Sequence, residues 1–87
     1  MASDRKTIFI STFFGKSIDS NYAINVLKKM SDFLVQKGGR PHYGKIHNLN
    51  KQKMIQIYGN NYYDFIKIKN KLDPFENFSN NYIKKLF

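Results

Sequence analysis

Ten consecutive residues limit what this chain can fold into more than any other stretch: Gly38-Gly39-Arg40-Pro41-His42-Tyr43-Gly44-Lys45-Ile46-His47. They hold three of the five glycines, both histidines, one of the two prolines and one of the two arginines. Such a run cannot lie inside a helix or a strand. Two adjacent glycines suit the left-handed turn that ends a helix. Pro41 pushes Arg40 into an extended conformation. The expected result is a short rigid loop that presents His42, Lys45 and His47.

The flanks carry ordinary patterns. Thr7–Phe14 reads Thr-Ile-Phe-Ile-Ser-Thr-Phe-Phe, β-branched and aromatic and bounded by Gly15, which predicts a strand. Ile8, Ile10, Thr12 and Phe14 would share one face, with Phe9, Ser11 and Phe13 on the other. Asp19-Ser20 is a helix start. Ala23, Val26, Leu27, Met30, Phe33 and Leu34 then recur at helical spacing, giving an amphipathic helix that ends at Gly38-Gly39. Asn50 can cap a helix from Lys51 to Tyr58, which Gly59-Asn60-Asn61 breaks. A further helix runs from about Tyr62 to Lys71 and stops at Asp73-Pro74. The tail carries aromatic anchors at Phe75, Phe78, Tyr82 and Phe87, with one helical turn over Tyr82 to Leu86. The expectation is a single small α+β domain over residues 1–87, with 1–6 unstructured. It has one strand, one long helix packed on it, two short helices and an irregular wrapping tail.

Composition narrows the function classes. Cysteine is absent, which removes disulfides and cysteine-based metal sites. His42 and His47 have no cysteine or carboxylate beside them in sequence, so no metal site is expected. No apolar run is long enough to span a membrane, and the first residues lack the apolar stretch of a secretion signal. The expected location is therefore cytoplasmic. The net charge is +9, which raises a polyanion partner such as nucleic acid as an alternative reading. Thirteen of the fifteen basic residues are lysine, scattered in a Lys-, Asn- and Ile-rich chain. Codon drift in an AT-rich genome accounts for that mixture better than a nucleic-acid surface does. The nucleophile elbow, the dinucleotide glycine fingerprint and the phosphate loop are all missing.

The loop has a second meaning. Gly-Gly-Arg-Pro-His-Tyr-Gly-Lys-x-His resembles the C-terminal signature of the FAD-linked sugar-lactone and alditol oxidases, within the vanillyl-alcohol-oxidase flavoprotein superfamily. That family usually has Trp at the position of Tyr43. Leu72-Asp73-Pro74, followed by Phe78, Asn80 and Tyr82, is similar to the family's closing segment, with Asn81 in place of a proline. The two motifs occur in family order, and the likeness runs from about Ile8 to Phe87.

The resemblance implies the C-terminal catalytic-loop segment of an FAD-dependent aldonolactone or alditol oxidase. Lys45 and His42 would act at the flavin–substrate site, and Arg40, Tyr43 and His47 would shape the pocket. A cation there would stabilise the negative charge that hydride transfer brings to the flavin. Residues alone leave a plainer option, in which Arg40, His42 and His47 only satisfy loop carbonyls. The family's FAD-binding domain has no counterpart here, so FAD is implied as cofactor but not expected to bind this chain alone, and no turnover is expected from it. A remnant, a split-enzyme subunit and a repurposed binding protein all fit. The unpaired strand Thr7–Phe14 adds an expectation of self-association through it, or of a partner subunit carrying the FAD domain.

Overall fold

The computed structural model describes residues 5–87. Four helices follow in order: α1 Ser20–Gln36, α2 Lys51–Tyr58, α3 Asn60–Leu72 and α4 Asn81–Leu86. The described residues contain no strand, so the architecture is all-helical and the α+β expectation is wrong. The expectation for residues 1–6 falls partly on residues 1–4, which lie outside the described ones.

Thr7–Phe14 is the element that fails to become a strand. Its composition favours one, but a strand is completed only by a neighbour's backbone. Among the described residues no backbone-to-backbone hydrogen bond reaches residues 8–14. The segment instead lies beside α1 as an arm tied at both ends. The Phe14 ring meets Tyr22 edge-on at 6.4 Å, and the Arg5 guanidinium donates to the Gly38 carbonyl at 2.9 Å. Those ties sit at opposite ends of α1. Bridging that length of helix, ~24 Å at 1.5 Å per residue, requires a nearly extended arm. The long helix therefore has an arm alongside it rather than a sheet beneath it.

The caps explain where the helices start and stop. Asp19 accepts from the Tyr22 N–H at the start of α1. At its end, Gly38 N–H bonds Val35 O at 3.0 Å and Gly39 N–H bonds Leu34 O at 2.7 Å. This is the paired bonding of a Schellman end. Gly38 has φ +83°, and a Cβ on Gly39 would lie 2.7 Å from the Leu34 carbonyl oxygen. Asn50 caps α2 through Lys53 N–H, and Asn80 caps α4 through Ile83 N–H.

The core is thin, as expected for so short a chain. Val35, Leu49, Met54, Tyr62 and Leu86 are its buried members, joined by half-buried Ile55, Ile57, Tyr58, Ile66 and Phe87. It joins α2 to α3 and α4, and α1 reaches it through Val35. Phe87 stacks on Tyr62 at 6.1 Å, and the Tyr62 hydroxyl donates to the Leu86 carbonyl at 3.2 Å. That burial raises the Tyr62 hydroxyl above its ordinary value, with Tyr63 adding to the effect. A polar cluster fastens α1 to the next segment. Lys53 Nζ meets Asp32 Oδ1 at 2.5 Å and donates to the Asn48 carbonyl at 2.8 Å. Asn48 Nδ2 donates to the other Asp32 oxygen at 2.8 Å.

Candidate active-site loop

The Schellman end of α1 delivers the chain into residues 40–47. Arg40 lies over the Tyr58 ring at 5.0 Å, which holds the loop against α2 by a cation–π contact. A tight turn follows, in which Lys45 N–H bonds the His42 carbonyl at 3.0 Å. His42 Nδ1 accepts from Gly44 N–H at 3.0 Å. A ring nitrogen that accepts carries no proton, so the His42 proton sits on Nε2. The His42 and Tyr43 rings lie 5.5 Å apart. His42, Tyr43 and Lys45 are all exposed. Lys45 Nζ has no hydrogen-bond or ion-pair partner among the described residues.

His47 behaves differently. Its Nδ1 accepts from Leu49 N–H at 3.0 Å, which again places the proton on Nε2. That nitrogen lies 3.1 Å from the Tyr43 carbonyl oxygen and 2.6 Å from the Tyr82 hydroxyl. The Tyr82 hydroxyl also donates to the Tyr43 carbonyl. Desolvation against the loop raises the Tyr82 hydroxyl above its ordinary value, with Tyr43 adding to it. Tyr82 therefore stays a donor. The sequence places Tyr82 as a tail anchor and a member of the second motif but not among the site residues, yet it is the residue that joins the two motifs. Its signal was membership of the second motif.

The rest of that motif serves the same end. Asp73 accepts from Asn77 N–H at 2.8 Å and Phe78 N–H at 3.0 Å, folding the turn after α3. Asn80 then caps α4, and α4 carries Tyr82 back to the loop. Of the five expected site residues, His47 is tied down, Arg40 rests on Tyr58, and Tyr43 is held by its carbonyl. His42 and Lys45 are left facing outward. Tyr43 also borders an open apolar groove of about 620 Å³ between α2, α3 and α4.

The sequence profile of the D-arabinono-1,4-lactone oxidase family matches residues 1–86. The chain belongs to that family. The L-gulonolactone oxidase of Scyliorhinus torazame is 39% identical over 56 residues, covering 64% of this chain and 12% of that protein. The L-gulonolactone oxidase of Mus musculus is 40% identical over 50 residues, covering 58% of this chain and 11% of that protein. The chain thus matches only about an eighth of the length of these relatives. No solved structure matches it. Membership implies FAD as the family cofactor.

Among the described residues no group of three or more His, Cys, Asp or Glu could hold a metal ion. No helix there is long and apolar enough to cross a membrane. Three of the lysines there are in ion pairs: Lys53 with Asp32, and Lys69 and Lys84 with Glu76 at 3.9 and 3.1 Å.

Proposed function

We propose that this chain supplies the C-terminal catalytic loop of an FAD-dependent aldonolactone or alditol oxidase, acting on a sugar-lactone or polyol hydroxyl. One observation carries the reading. The loop is fastened through Arg40, Tyr43 and His47, while the Lys45 amine and His42 Nε2–H stay free to meet a substrate or cofactor. A fixed backbone holding free polar groups is what electrostatic preorganisation requires.

The donor set fits a flavin site. FAD, when bound, accepts the hydride. Lys45 places a positive charge where negative charge builds up. His42 offers an Nε2–H donor that can orient a substrate oxygen. Tyr43 gives an aromatic face with its ring beside His42. Tyr82 and His47 act through the Tyr43 carbonyl and hold the turn in place.

The test is single-turnover reduction of the flavin by a lactone or polyol substrate, in FAD-loaded holoenzyme containing this chain. Lys45→Met is expected to slow reduction about 100-fold, with substrate binding little changed. An unchanged rate would remove Lys45 from the site.

A further inference from the structure

The arm and the groove are two unmet apolar surfaces of one chain. Phe9 and Phe13 are 86% and 87% exposed, against 63% for Ile10, and Phe14 is half-buried on Tyr22. The arm is covered at its Phe14 end, by the contact with Tyr22, and leaves Ile8, Phe9 and Phe13 turned outward. The groove is walled by Tyr43, Phe65, Ile68, Leu72, Phe78 and Phe87. Most of these walls are themselves exposed, Phe78 at 89%.

The accessible surface is 7235 Å². That is about 1,900 Å² more than the ~5,400 Å² expected of a compact monomer of 10.3 kDa. The radius of gyration is 14.8 Å, where ~12 Å is expected. A standard interface needs only ~800 Å² from each partner, so the excess is enough for one. Charge indicates which surface can meet a second copy. Two chains of +9 repel one another wherever lysines face lysines. Thr7–Gly15 carries no charge, so it can approach the lysine-rich α3 and α4 without that cost.

We infer that two copies of this chain associate by the arm of one entering the groove of the other, with Phe9 and Phe13 as the inserted side chains. These two lie ~13 Å apart along an extended chain, well within the ~20 Å length of α3. Reciprocal insertion uses both arms and closes a dimer. This contact touches the active-site loop only at Tyr43, a wall of the groove, and needs no cofactor.

The test uses sedimentation of the full chain and disulfide trapping, which is unambiguous because the native chain has no cysteine. The wild type is expected to dimerise at or below about 100 μM. Phe9→Lys and Ile68→Lys are each expected to weaken dimerisation at least about tenfold, the loss of one buried side chain. Both sites are exposed in the single chain, so helix content by circular dichroism should be unchanged. Mixing Phe13→Cys chains with Ile68→Cys chains is expected to give the mixed disulfide. A stable monomer at about 100 μM would overturn the inference, and the groove would then serve a different polypeptide. Preferential Phe13→Cys self-crosslinking would also overturn it, by showing arm-to-arm strand pairing.

Discussion

Tyr82 is the residue on which the loop geometry rests. Its hydroxyl reaches the Tyr43 carbonyl from the second motif. Tyr82→Phe removes that donor and keeps the ring beside His47. The expected cost is about 1 kcal/mol, the net value of one hydrogen bond, read as a shift in the urea midpoint. In holoenzyme the same change should lower turnover while leaving FAD bound, because Lys45 loses its fixed base. Asp32 supports a pH prediction. Its carboxyl is held below the ordinary value, first by the hydrogen bond from Lys53 and then by that from Asn48. A depressed carboxyl stabilises the fold fully above its unfolded value, near pH 4. That contribution disappears as pH falls through the lower, folded-state value. Denaturant midpoints of wild type and Asp32→Asn should therefore differ at pH 6 and converge at about pH 2.

At the scale of elements, the turn that ends α1 is expected to be intolerant. Gly39→Ala sets a Cβ against the Leu34 carbonyl, an immovable backbone contact. It should cost about 1–3 kcal/mol, whereas Gly15→Ala, with nothing within 4 Å, should be within about 0.5 kcal/mol of neutral. Equilibrium unfolding of the two variants measures both. The helices were readable because their signals are local. Asp19 and Asn50 cap where the sequence says they should, and α1 and α2 match the predicted spans. The arm was misread for the opposite reason. Ile8, Phe9 and Ile10 have strand propensity, but a strand also needs a second backbone, and propensity carries no information about one. The stripe on α1 was read as a core face, yet Ala23, Val26, Leu27, Met30 and Leu34 are only half-buried and Phe33 is exposed; the buried residues are Ser31 and Val35, outside the stripe, because α1 meets the core by its C-terminal end. In the candidate site, the loop and its residue types were legible. The tie from Tyr82 to Tyr43 and His47 was not, since no periodicity links residues so far apart.

At the scale of the whole molecule, the chain matches about an eighth of the length of its relatives, and under the proposed function it supplies one wall of a site. The groove between α2, α3 and α4 is open and mostly apolar, with Asn61, Lys69 and Asp73 as the charged or amide side chains on its wall, too few and too open to enclose a dinucleotide. The chain by itself is therefore expected to bind no FAD in a fluorescence titration and to oxidise no lactone. Saturable flavin binding by the single chain would contradict this. The central claim is that Lys45 places its charge beside the flavin, and it is tested most directly by the flavin midpoint potential in holoenzyme. A nearby cation favours the reduced, more negative flavin. Lys45→Met is therefore expected to lower the potential by about 30 mV or more, equivalent to ~1.4 kcal/mol for a two-electron couple. A potential unchanged by Lys45→Met would place the lysine away from the flavin and contradict the account.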